Sequence, residues 1–405
     1  MKKIFIAIVL FALFPTVIAA DITVFVSPDS AYQEFKKFVS DADELKIATY
    51  TFTNPDIAKI LLDNINKRGM NLTLLIEKSP AGGRPEIENK ILCNLNEKAD
   101  IFLISKFDFM HAKYAIKNNR TVLISTENLV FQKNNQGNRG WFAIIDNINT
   151  TKIEDIFNYD INGSQRFACA LSDYQLLTTA ESGTYKNIFQ SEKFTGDVRF
   201  IFAPDAVNDV INLIKSAKKS ILIEQLYIYR NWGTTKNPTD NLFLNAVIEQ
   251  ARNNVTVKIL LDSYYYDIEK NQQTIDYIND INIKENLSIE AKFIDLNKLG
   301  ISLLHAKGVI IDNGTENEKV FISSINWNEN SPRDNREAGV IITGKSADYF
   351  AKVFDYDWNP TSAITGLAIS ENSFFIAGII VIFILIIIII FIIAVARRPP
   401  NSLGG

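Results

Sequence analysis

Histidine is nearly absent from this chain, with only His111 and His305 among 405 residues. Cysteine is equally scarce: Cys93 and Cys169 stand alone, so there is no metal-site spacing and at most one disulfide. No basic tract exists. Setting aside Lys2, Lys3, Arg397 and Arg398, 42 − 4 leaves 38 basic residues against 46 acidic ones, a net of −8. Sequence alone therefore offers no means to neutralise a nucleic-acid backbone, although a local basic cleft stays open. No nucleotide-binding motif occurs, and Gly82-Gly83 by itself is not one.

What is present is repetition. Both histidines open the same tripeptide, His111-Ala112-Lys113 and His305-Ala306-Lys307. The imidazole titrates nearest neutrality, so it suits nucleophilic attack, proton donation, or both in turn. Each tripeptide begins an apolar strand with His and Lys two residues apart on one face. An Asn-containing turn follows, and a second apolar strand returns to Ser125-Thr126-Glu127-Asn128 or Ser323-Ser324-Ile325-Asn326. A third block repeats beyond these: Asn138-Arg139-Gly140 answers Asn335-Arg336-Glu337, and only the second carries an acid.

Upstream, the strands 22–27 and 198–203 each run into Pro-Asp, Pro28-Asp29 and Pro204-Asp205. Apolar spacings of three and four then mark helices, followed by further strand and helix pairs. Alternating strand and helix, twice over, predicts an α/β fold of two tandem, pseudo-twofold-related sandwich domains. The expected boundaries are 21–190 and 191–366, with a connector within 176–194. The twofold relation would bring both His-Ala-Lys segments to one cleft within one chain, where neither half is active alone.

These motifs resemble the phospholipase D superfamily, whose signature is His-x-Lys-(x)4-Asp followed by Gly-Ser-x-Asn, twice in a chain. The second copy fits at His305, Lys307, Asp312, Ser324 and Asn326, with Ser323 in the place of Gly. The first fits at His111 and Lys113, has Asn118 where Asp is usual, and offers Thr126 and Asn128. In the family that Asp is mainly structural. The resemblance implies phosphodiester cleavage needing no metal and no cofactor, with His111 as nucleophile oriented by Glu337 and His305 as general acid and then base. It implies that Lys113, Lys307, Asn128 and Asn326, with the hydroxyls of Thr126 and Ser324, hold the phosphate oxygens. Tyr50 and Glu224 are weaker candidates for the cleft wall, and Tyr264, Tyr265 and Tyr266 form an aromatic cluster.

The ends carry a separate message. Residues 1–20 read as a signal segment with basic, apolar and small-residue regions. The run 374–396 is uncharged and Ile-rich, and 23 residues at about 1.5 Å each suffice for a bilayer. Arg397-Arg398 places the tail 397–405 on the cytoplasmic side. The catalytic domains would face outward, where Cys93 and Cys169 are free to form a disulfide. Sequons at Asn71, Asn119, Asn149, Asn254 and Asn286 say little in an Asn-rich chain. Phospholipid is the favoured substrate class because an anchor holds the cleft near headgroups. Nuclease action on DNA or RNA, and a silent surface-binding member, remain the alternatives.

Overall fold

The computed structural model describes residues 19–131, 137–172, 186–264 and 268–360. The described residues up to 354 form one compact unit, and those from 355 to 360, at the end of the last helix, belong to a second. Outside the described residues lie 1–18 of the expected signal segment, the apolar run 374–396, the tail 397–405, Tyr265, Tyr266 and residues 176–185 of the expected connector. No helix among the described residues is long and apolar enough to cross a membrane.

The first half runs β1 (Ala20–Ser27), α1 (Ala31–Ser40), β2 (Glu44–Thr49), α2 (Pro55–Arg68), β3 (Asn71–Glu77) and α3 (Glu86–Asn96). It continues with β4 (Asp100–Ile104), β5 (Tyr114–Lys117), β6 (Thr121–Ser125), β7 (Asn138–Asp146), α4 (Thr151–Ile161) and the short β8 (Gln165–Arg166). The second half repeats the pattern: β9 (Glu192–Ala203), α5 (Val207–Lys215), β10 (Ser220–Gln225), a ribbon of β11 (Asn231–Gly233) and β12 (Pro238–Asp240), then α6 (Leu242–Arg252). It goes on through β13 (Thr256–Leu261), α7 (Ile268–Glu285), β14 (Ile289–Phe293), α8 (Leu296–Leu299), β15 (Leu303–Leu304) and β16 (Lys307–Ile311). β17 (Lys319–Ser323), α9 (Asn330–Arg333), β18 (Glu337–Thr343) and α10 (Ser346–Trp358) complete it.

Local chemistry sets the ends of these elements. The Asn54 side chain accepts from the Asp56 and Ile57 amides to start α2, and Gly69, at φ 72°, ends it in the left-handed conformation that glycine adopts without a Cβ clash. Asn241 caps α6 in the same way through Phe243 and Leu244. The inner strands β5, β6, β7, β16, β17 and β18 are buried along almost their whole length, and helices cover one face of each half. Phe35, Ile57 and Leu61 share a buried cluster with Ile47, Leu74 and Phe142, and Val210, Leu213 and Val247 share another with Ile223, Ile259 and Phe321.

Strand order is the same in both halves, β1-β7-β6-β5-β2-β3-β4 and β9-β18-β17-β16-β10-β13-β14. One strand joins them. Residues 192–196 of β9 pair antiparallel with β1, and residues 197–203 pair antiparallel with β18. The result is a mixed α/β fold built on one large sheet path. Ala20, the last residue of the expected signal segment, already belongs to β1 and pairs with Gly196. Cys93 on α3 is disulfide-bonded to Cys169, which follows β8 and lies 76 residues away in sequence.

Candidate active site

Each histidine is held by backbone of the opposite half. His111 N donates to Arg336 O at 2.8 Å, and Arg336 N donates to Phe109 O at 2.9 Å. In mirror fashion His305 N donates to Arg139 O at 2.9 Å, where β15 lies parallel to the start of β7. The two arginines are buried and anchor these crossings. Arg139 donates to Asp29 at 2.8 Å and to Ser27 O at 3.0 Å; Arg336 donates to Asp160 at 2.8 Å and to Ala203 O at 2.6 Å. The expected strand carrying His and Lys together is corrected here: β5 begins at Tyr114 and β16 at Lys307. Each histidine sits just before its strand because its own amide is engaged by the other half. Gly308 is required at one contact, since a Cβ there would lie 2.1 Å from the Trp141 ring.

His111 Nδ1 lies 2.9 Å from Glu337 Oε2. Glu337 is fully buried and also accepts from Ser331 Oγ at 2.5 Å and Asn335 Nδ2 at 3.0 Å. Facing a carboxylate, Nδ1 carries the ring proton and Nε2 keeps its lone pair. His305 has no such acid. Its Nδ1 lies 3.1 Å from Lys307 Nζ, and the Thr126 carbonyl supports its protonated ring. The lysines curl back alike, Lys113 Nζ onto His111 O and Lys307 Nζ onto His305 O at 3.0 Å.

Four basic groups are thus packed together, the two lysines buried and the two histidines partly so. Burial lowers the His111 pKa against the opposing pull of Glu337, and burial with the Lys307 charge lowers His305 well below its ordinary value. Burial brings Lys113 down to about 7 and takes Lys307 well down too. Glu337 moves the other way: burial would raise its pKa, but His111 and Lys113 outweigh it and hold the carboxyl below its usual value. An anion entering the site restores the missing countercharge and draws protons back onto the lysines. Binding of inorganic sulfate, whose charge is constant over the neutral range, should tighten as pH falls through about 7. Calorimetry across that range checks this; a flat profile would mean the lysines stay charged without a ligand.

Asn128 and Asn326, at matching places, each leave a buried amide oxygen without a hydrogen bond; that oxygen is an acceptor, so a phosphate oxygen would be met by the amide Nδ2, which in Asn128 also donates to Thr51 Oγ1 at 2.8 Å. The hydroxyls expected beside them also tie the backbone. Thr126 Oγ1 accepts from Trp141 N and Ser324 Oγ from Ala338 N, both at 3.0 Å, which ties each turn to the next strand. Asp312 accepts from the amides of Lys218, Lys219 and Ser220, and Asn118 accepts from those of Asp43 and Glu44. The task is to receive backbone N–H groups, so Asn serves where Asp is usual. Tyr50 packs edge-on against His111 with ring centroids 5.1 Å apart. Glu224 does not line a cleft: it is fully buried and accepts from Trp141 Nε1 at 3.0 Å. Of the tyrosine cluster only Tyr264 is described, and it is partly exposed.

Sequence reasoning missed Asp29, Asp160 and Glu127. The first two are partners that a chain-order reading has no means to pair. Glu127 had a signal, a charged residue where the other copy has Ile325.

The model of the family described as "Cardiolipin synthase, PLD-like domain" matches residues 37–161 and 210–358. Phosphatidylserine synthase of Haemophilus influenzae has a similar fold, with TM-score 0.61 and 12% identity over 85% of this chain and 87% of that one. Polyphosphate kinase of Porphyromonas gingivalis follows at TM-score 0.51 and 12% identity, over 84% and 50%. Among curated proteins, the DISARM protein DrmC of Bacillus paralicheniformis is 32% identical over 105 residues, 25% of this chain, and the match spans only 38% of that relative's length. With both halves matched and the reciprocal His-x-Lys arrangement in place, the chain belongs to the phospholipase D superfamily.

Proposed function

We propose that this protein is a phospholipase D-type phosphodiesterase that cleaves or transfers the phosphodiester bond of a phospholipid through a phosphohistidine. The observation that carries this reading is the 2.9 Å contact of His111 Nδ1 with buried Glu337, which leaves Nε2 as a nucleophile. Nε2 attacks phosphorus, and His305, protonated once the anion is bound, gives its proton to the leaving alkoxide. His305 then takes a proton from water or an acceptor alcohol, whose oxygen displaces His111 from phosphorus. Lys113, Lys307 and the amides of Asn128 and Asn326 hold the non-bridging oxygens as their charge grows.

Three features support a lipid over a nucleic acid. The matching family model is described by a cardiolipin synthase, and a similar fold belongs to a phosphatidylserine synthase. The chain between the end segments is acidic. The run 374–396, read as a membrane anchor with the catalytic halves outside, keeps the cleft near headgroups.

The test is to incubate the full chain with EDTA and either mixed phospholipid vesicles or single-stranded DNA, beside His111→Ala. Headgroup release, or transfer to an added alcohol, that is lost in the variant is the expected result. Cleavage of DNA alone would move the assignment to a nuclease. Without His111-dependent turnover of either, the silent surface-binding reading replaces this one.

A further inference from the structure

Glu127 takes no part in the steps above, yet it is 1% exposed beside the site. Its place is informative. A Cβ added at Gly140 would lie 2.8 Å from both Cγ and Cδ of Glu127, so this side chain fills the space that a residue at 140 would enter. Gly140 is the position that answers Glu337 in the repeat, and the pairings agree: Gly140 lies opposite Ser27 on β1, and Glu337 opposite Ala203 on β9.

The two carboxylates are held by the same kinds of group. Glu337 accepts from Ser331 Oγ at 2.5 Å and from Asn335. Glu127 accepts from Ser27 Oγ at 2.5 Å and from Asn138, the residue that answers Asn335. Its second oxygen, Oε2, is buried without a hydrogen bond, a costly state unless a charge nearby compensates. Three positions therefore differ together between the copies: Ser27, Glu127 and Gly140 in one, and Ala203, Ile325 and Glu337 in the other.

We propose that Glu127 is the first copy's counterpart of Glu337, a positioning residue whose carboxylate enters from the neighbouring turn and supplies the negative charge opposite Lys307. This rests on the phosphodiesterase reading of the site. The charged groups around Glu127 are Lys307 and Arg139; those acting on Lys307 are Lys113, Glu337, Glu127 and Asp262, with His305 in contact. Among them Glu337, then Glu127 and Asp262, favour the protonated lysine, the form that grips a phosphate oxygen, and Lys307 Nζ reaches the turn that carries Glu127, donating to Thr126 O at 3.3 Å. Glu127 also follows Thr126, whose carbonyl supports the protonated His305 ring. Burial lifts the Glu127 carboxyl to about 7, so it carries its charge above that pH, whereas His111 and Lys113 hold the Glu337 carboxyl below its usual value.

Two variants of the full chain test the assignment, each checked by thermal melting. Glu127→Gln keeps the shape and the Ser27 contact and removes only the charge. Ser27→Ala with Glu127→Ile and Gly140→Glu copies the second half's arrangement into the first. The readouts are the pH midpoint of inorganic sulfate binding and phosphodiester turnover. Glu127→Gln should move the midpoint to lower pH and reduce turnover about tenfold or more, and the triple variant should recover both in part. An unchanged midpoint in Glu127→Gln would overturn the proposal and leave Glu127 a packing residue. If the wild-type chain turns over no phosphodiester, the sulfate midpoint still decides the role of Glu127, and the catalytic reading fails separately. If the triple variant does not fold, the Glu127→Gln midpoint alone decides.

Discussion

His111→Ala should abolish turnover, with kcat/KM falling by about 10⁴-fold or more, because the substitution removes the proposed nucleophile. The loss should be selective. His111 is a small, partly exposed side chain whose backbone amide remains bonded to Arg336 O, so folding is expected to survive. His305→Ala should behave differently. It removes the proton donor and the base, so a substrate with a good leaving group should still load the enzyme while release stalls. Protein incubated with phosphorus-labelled substrate and denatured with detergent at alkaline pH, where a phosphohistidine survives, should therefore carry stable label in His305→Ala and none in His111→Ala. Label retained in His111→Ala would give the nucleophile's role to His305.

Glu337→Ala should be the most damaging single change to stability. The carboxylate is 0% exposed and is surrounded by His111, Lys113, Ser331 and Asn335. Removing it leaves buried cationic groups without their anion and two donors without an acceptor, a loss of about 3–5 kcal/mol by analogy with broken buried ion pairs. Denaturant unfolding measures it; a loss no larger than that of a surface substitution would mean the lysines discharge at no cost. Glu337→Gln keeps the shape, yet it can present its amide N–H to Nδ1 and turn the imidazole to the wrong tautomer. Turnover should then drop by about 10²–10⁴-fold. The sign of the pH effect follows from the carboxyl being held below its ordinary value: it stabilises the fold above the unfolded carboxyl pKa, and that contribution is lost as pH falls through the folded value. Acid unfolding of Glu337→Gln should lack that component.

Much of this arrangement was legible in the sequence because it is written twice. Paired His-Ala-Lys tripeptides, paired Asn-Arg blocks and paired Pro-Asp turns gave the repeat. Strand order in the two halves is identical for the same reason: similar apolar periods fold to similar sheets. The acid facing His111 could be named because only one Asn-Arg block ends in Glu. What stayed hidden depends on contacts between distant segments. The donation from His305 N to Arg139 O joins residues 166 positions apart, and no local pattern encodes it. Glu224 looked like cleft lining because its strand leads there, but the indole of Trp141 captures it from the other half. The amides of Trp141 and Ala338 donate to Thr126 Oγ1 and Ser324 Oγ, ties between separate segments that no local pattern announces. Asn118 does the same work as Asp312, since a backbone N–H needs an acceptor and not a charge.

The unequal acids beside the two histidines also give the cleft a direction. In a perfectly twofold site a phosphodiester binds equally well either way round, and each histidine attacks in half of the encounters. Here one imidazole is held by a carboxylate and the other by a carbonyl and an ammonium. On that geometry the two ways of entering are no longer equivalent, and under the proposed mechanism the departing group lies toward His305 in the productive one. Fusing two similar halves in one chain makes such a polarity heritable, because each copy can change without changing the other.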